Sequence, residues 1–148
     1  MRSYIFVAFT AFAALAACSA EPPVAPDAVA VEVPVGNPPS ANGVTARWTR
    51  VRYNATGSVT VSISGNVATL SFSSDFTVDQ TPGPFVYLNT TNNPNSGMPL
   101  RVGALKSRSG AQTYAFQIPA GVKYTHVLIW CDPFNVAMVE AVIPPTGG

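Results

Sequence analysis

The chain has 148 residues, of which 47% are hydrophobic and only 10% charged, and its 8 basic and 7 acidic residues give a formal net charge of +1. That length suits one modest core rather than several domains. Near-neutrality argues against bulk electrostatic attraction to nucleic acid or any other polyanion. In chain order, Arg2 supplies a positive start and Tyr4 to Ala17 is an uncharged run rich in Ala and Phe, the pattern of an export signal over residues 1–17. At about fourteen residues the run is shorter than the roughly twenty that a membrane-crossing helix needs. Leu15-Ala16-Ala17-Cys18 closes it and resembles the bacterial lipobox, which implies lipidation at Cys18. Several acyl chains on one terminus would hold the mature chain at a membrane, since each buried methylene adds about 0.8 kcal/mol. Ser19 stands where an Asp would favour the inner membrane, so by the same resemblance the outer membrane is the expected address in a Gram-negative cell. Loss of Arg2 with the signal takes the 8 bases to seven, against 7 acids.

Residues 18–43 are heavy in Pro and Ala and show neither a helical nor a strand period. They read as a disordered tether, with Val29 to Val35 the piece best able to add a strand. Fully extended at about 3.1 Å per residue, such a tether reaches roughly 75 Å. From 44 to 148 the pattern changes to short β-branched and aromatic runs punctuated by Gly, Pro and Asn. Ser58 to Ile63 and Val67 to Phe72 alternate apolar with small polar residues about Gly65-Asn66, which predicts a hairpin. Further strands are predicted at Phe85–Asn89, Arg101–Leu105, Gln112–Ile118, Thr125–Cys131 and Asn135–Ile143, giving an all-β antiparallel sandwich of about seven or eight strands. Leu128, Ile129 and Trp130 are apolar at successive positions, as expected of a central strand covered on both faces.

The chain has two cysteines. Lipidation of Cys18 would leave Cys131 without an internal partner, so it is a buried hydrophobe, a reactive thiol, a ligand or an intermolecular link. The residues around it carry a resemblance. Gly83-Pro84-Phe85-Val86-Tyr87-Leu88, Gly103-Ala104-Leu105-Lys106, Gly110-x-Gln112-x-Tyr114, Pro119, Val127-x-Ile129-Trp130-Cys131-x-x-Phe134 and Ala141 occur in that order. From about Thr49 to Ile143 the chain resembles the DM-thirteen domain. It departs from that pattern at Met138, where the family has an aromatic, and at Tyr53 or Asn54, where a His is often found. The resemblance implies a small β module outside the cytoplasm, often joined in animals to haem-binding DOMON domains and predicted to transfer electrons through its cysteine. Carried onto this chain, that role falls on Cys131 as redox candidate, with Trp130 and Phe134 as its neighbours and an envelope redox protein as partner.

Other chemistry has thin support. His126 is the sole histidine, and strand parity puts it on the face of Leu128 and Trp130, opposite Cys131. A β-bulge would be needed to bring them together. Met98 and Met138 add two soft donors, so haem or copper is the cofactor class to consider, but there is no clustered ligand motif and no metal site is assigned. Asp75 and Asp79 frame a loop that could take a cation and read better as turn formers. Arg50 and Arg52 fit an edge strand with its charges in water. Asn54-Ala55-Thr56 and Asn89-Thr90-Thr91 match glycosylation sequons, which a bacterial lipobox makes irrelevant. No catalytic constellation is visible, and the chain reads as a non-enzymatic module. Two readings stay open: a lipid-anchored redox domain centred on Cys131, or a surface module binding a protein, glycan or envelope ligand, with Cys131 structural. An accessible sulfur favours the first and a fully buried one the second.

Overall fold

The computed structural model describes residues 25–32 and 43–148. The expected signal at 1–17, Cys18 and most of the expected tether lie outside the described residues. No described helix is long and apolar enough to cross a membrane.

The described residues form eleven strands and one 3₁₀ turn. The first strands are β1 (Val44–Arg47), β2 (Thr49–Arg50), β3 (Ala55–Thr56), β4 (Ser58–Ser64), β5 (Val67–Phe72) and β6 (Thr77–Val78). They are followed by β7 (Pro84–Asn89), β8 (Leu100–Ala104), β9 (Gln112–Gln117) and β10 (Tyr124–Cys131). The turn Asp132–Phe134 then leads into β11 (Val136–Thr146). One antiparallel sheet runs β1-β4-β5-β9, a second runs β2-β11-β10-β7-β8, and β3 and β6 form a small ribbon at one end. Eight strands are of ordinary length; β2, β3 and β6 are two-residue pairings too short to leave a hydrophobic period in the sequence. The expected hairpin is β4–β5, in register from Val59↔Phe72 to Ser64↔Val67. It turns at Gly65, whose φ of 58° is a conformation that suits glycine.

Alternation along the strands builds the core. Val59, Val61, Ala68, Leu70, Phe72, Tyr114 and Phe116 come from the first sheet, and Val86, Leu88, Val127, Ile129, Val139 and Ala141 from the second. Enclosing each of the larger aliphatic side chains is worth about 1.5–3 kcal/mol. β10 is the middle strand of its sheet, and both its faces are covered. Val127, Ile129 and Cys131 enter the main core, while Leu128 and Trp130 form a second cluster with Tyr87 on the outer face.

Chain segments seal both open sides of the sandwich. On one side β1 and β2 are consecutive and cross from the first sheet to the second at Trp48, whose ring packs on Phe72 and Phe76 at centroid distances of 5.1 and 5.8 Å. On the other side lie the edge strands β8 and β9, and residues 25–32 bridge them. Ala28 N–H donates to the Arg101 carbonyl and Arg101 N–H to that of Pro26, each at 2.8 Å. Val31 N–H donates to the Ala115 carbonyl at 2.8 Å, and Gln117 N–H to that of Val29 at 2.9 Å. These described residues thus lie against the domain as a strap, in the stretch whose composition reads as a tether. Pairing of this kind uses only the backbone, so an apolar period is not required of the strand that supplies it.

Candidate functional site

Cys131 is the last residue of β10. The pairing of β10 with β7 is unbroken from His126↔Asn89 to Cys131↔Pro84, so parity holds along the strand. Cys131 therefore points between the sheets and is 2% exposed. His126 lies half-buried on the other face, its Nδ1 2.8 Å from the Thr125 hydroxyl. A Cys–His pair is not formed.

What covers the sulfur is a thin piece of chain. The Cys131 S–H donates to the Pro82 carbonyl at 3.1 Å, a bond that only the protonated sulfur makes. Pro82 and Gly83 are themselves exposed, as are Pro133 and Phe134 beyond Cys131. Gly83 has φ 55°, and a Cβ there would lie 2.8 Å from Pro133 Cγ, so the loop before β7 closes against the 3₁₀ turn only because that residue is glycine. Further back, Asp79 Oδ2 accepts from the Asn54 N–H at 2.8 Å and from its side-chain amide at 3.0 Å. The Thr81 hydroxyl donates to Met138 Sδ at 3.1 Å. Asp79 thus anchors the loop, whereas Asp75 is exposed and offers its carbonyl to Thr56.

The other residues implied by the resemblance do not gather around the sulfur. Trp130 sits on the opposite face, 6% exposed, and its Nε1–H donates to Asn135 Oδ1 at 3.0 Å. Phe134 stands in solvent, 60% exposed. Met138 is enclosed in the core, and Met98 is an exposed loop residue. Among the described residues no group of three or more His, Cys, Asp and Glu could hold a metal ion. His126 lies on the other face of β10 from Cys131 and Met98 is an exposed loop residue, whereas Met138 shares the core with Cys131, its sulfur bonded by Thr81 next to the Pro82 that caps the thiol.

The outer face of the second sheet holds a polar network that the sequence does not announce. The Tyr87 hydroxyl donates to Asp132 Oδ1 at 2.7 Å. Arg101 donates to Asp132 Oδ2 from Nε and from Nη2, each at 2.9 Å. Its Nη1 reaches Asp27 Oδ1 of the strap at 3.1 Å, and its guanidinium carbon lies 3.4 Å from the centroid of the Phe85 ring. Tyr87 is fully enclosed and Asp132 is 6% exposed. Burial, then the neighbouring Asp132 carboxylate, pushes the Tyr87 phenol far above its ordinary range, with Arg101 opposing in part. Burial alone would lower the Arg101 guanidinium; its bonds to Asp27, Asp132 and Tyr87 outweigh that and hold it above its usual value. In the sequence Asp132 stands out only as an acid beside Cys131.

A separate groove of about 420 Å³ lies between the strap and strands β8 and β9, with Val31, Gly103, Lys106 and Tyr114 in its walls. It shares no residue with the Cys131 or Tyr87 sites.

The family model described as Electron transfer DM13 matches residues 49–143, from β2 into β11. The chain belongs to the electron transfer DM13 family. No curated protein and no solved structure matches it. In this DM13 domain the matched stretch holds Cys131, Tyr87, Arg101 and Asp132, while Asp27 comes from the strap outside it.

Proposed function

We propose that this DM13 domain is an electron-transfer module of the bacterial envelope, held to a membrane through lipid on Cys18, with Cys131 as its redox residue. The family assignment supports a redox role. The observation that carries the choice of Cys131 is that it is the one cysteine within the matched stretch; its sulfur lies behind one layer of chain, at the carbonyl of the exposed residue Pro82. Thiol–disulfide exchange needs a sulfur that a second thiol can reach, whereas electron transfer needs only close approach. A partner protein seated on Pro82, Gly83, Pro133 and the exposed Phe134 ring would come within that one layer.

Voltammetry of the purified protein, with its absorption spectrum taken first, tests the proposal. The expected result is a redox wave whose integrated charge falls in Cys131→Ala while near-ultraviolet circular dichroism is unchanged. A wave of undiminished charge in Cys131→Ala removes Cys131 from the role. Labelled palmitate should enter the protein in cells and fail to enter Cys18→Ser; equal labelling of the two would refute the anchor.

The 2% exposure of Cys131 favours a second reading, a surface binding module whose cysteine is structural. On that account the thiol reacts only after unfolding, and Cys131→Ala costs about 1–2 kcal/mol as a small cavity with no loss of redox behaviour. The groove between the strap and the edge strands would then be the first place to look for a ligand.

A further inference from the structure

We propose that Tyr87 is a second redox residue of the domain, giving up one electron to a metal-complex oxidant at the surface as its phenolic proton passes to Asp132. This assignment rests on the electron-transfer reading above, and it concerns a residue on the other face of the sheet from Cys131.

A phenol that loses an electron becomes a very strong acid. Away from water, its oxidation is eased where a base already sits within hydrogen-bond reach, at about 2.6–3.2 Å. Tyr87 meets this condition, with Asp132 Oδ1 at 2.7 Å and both groups buried. The other buried aromatic donors do not. The Tyr114 hydroxyl donates to Gln112 Oε1, and the Trp130 indole to Asn135 Oδ1; amide oxygens are poor proton acceptors. Trp48 Nε1 is buried with no partner among the described residues. Among the described residues, Tyr87 is the one phenol or indole whose hydrogen bond ends on a carboxylate.

The step balances within the cluster. The O–H bond of Tyr87 breaks and a new O–H bond forms at Asp132 Oδ1. One electron leaves, the metal of the oxidant falls by one oxidation state, and a neutral phenoxyl remains, accepting a hydrogen bond from the new carboxylic acid. Asp132 loses its negative charge in the process, and Arg101 loses half of its pairing. That would leave a half-buried guanidinium without a counter-charge if Asp132 were its only partner. It is not, because Nη1 stays paired with Asp27. The strap therefore supplies the charge that lets Asp132 accept the proton, and reduction returns the proton along the same bond.

Position suits the role as well. Tyr87 lies opposite Leu128 in the β7–β10 register and two residues from Phe85, which is opposite Trp130. Tyr87, Leu128 and Trp130 form one apolar cluster against which Phe85 packs, so a radical there is shielded from solvent. The Phe85 ring, stacked on the guanidinium, is only partly buried and leads outward.

The test is flash oxidation of the full-length protein by photogenerated tris(bipyridine)ruthenium(III), with freeze-trapping and electron paramagnetic resonance. A neutral tyrosyl spectrum is expected in the wild type and in Cys131→Ala, and its loss is expected in Tyr87→Phe, with folding checked by circular dichroism. Absence of a tyrosyl signal in the wild type overturns the proposal without any variant. An equal yield in Tyr87→Phe overturns it too, since the radical is then on another tyrosine. The Cys131 reading fails separately: a voltammetric wave of undiminished charge in Cys131→Ala, together with a radical lost in Tyr87→Phe, would discard Cys131 and leave Tyr87 standing.

Discussion

Asp132 follows Cys131 directly in the chain, yet its carboxylate faces away from the sulfur and holds Tyr87 and Arg101 together. Such a group resists substitution unevenly. Tyr87→Phe removes one hydrogen bond and leaves Asp132 still paired with Arg101, so it should cost about 1 kcal/mol. Asp132→Ala leaves a guanidinium and a buried hydroxyl without their acceptor. Because the Arg101 side chain is 26% exposed, its cost should lie near the lower end of the range for breaking a buried pair, about 3 kcal/mol. Urea unfolding of the two variants checks the order. Equal costs would mean that Asp132 is not the centre of the network.

The strands were largely legible because each carries its own side-chain period. Val59 and Val61 against Ala68 and Leu70, and the double-faced run at Leu128 to Trp130, mark buried faces that the structure reproduces. The short pieces β2, β3 and β6 were not legible, since two residues carry no period. Neither was the network: Tyr87 and Asp132 are 45 residues apart, Arg101 and Asp132 31, and Asp27 and Arg101 74. Only strand register brings them together, and register is settled by the whole sheet. The strap was legible only in part: Val29 to Val35 read as the piece best able to add a strand, and Val29 and Val31 do pair with β9, but the contacts of Pro26 and Ala28 depend on main-chain groups of a Pro- and Ala-rich segment. That dependence is testable through backbone donors. Ala28→Pro with Val31→Pro removes the N–H groups bonded to the carbonyls of Arg101 and Ala115. In native-state hydrogen exchange the amides of Arg101 and Gln117, whose acceptors lie in the strap, should lose protection while those of Val127 to Ile129 keep theirs. Unchanged protection at Arg101 and Gln117 would show that the strap is not what shields them.

For the molecule as a whole, the buried tyrosines set a limit on the alkaline side. Burial raises the phenols of Tyr87, Tyr114 and Tyr124, with Asp132 adding to the effect at Tyr87 and the Lys106 N–H opposing it at Tyr114. In the unfolded chain each would ionise near pH 10. Above that pH the unfolded state therefore holds fewer protons than the folded one, and stability falls as pH rises. The stabilisation from these groups is fully present below about pH 10 and is lost between there and their folded values. Each tyrosine ionised only in the unfolded state contributes about 1.4 kcal/mol per pH unit, so all three together would steepen the fall to about 4. Urea unfolding from pH 8.5 to 11.5, a range set around the phenol value of about 10, should show a flat region and then this decline. In Tyr87→Phe the decline should be shallower by about one tyrosine's share, even though the variant starts from a lower stability. A decline of the same slope in both proteins would mean that the Tyr87 phenol ionises as readily folded as unfolded, which its enclosure beside a carboxylate does not allow.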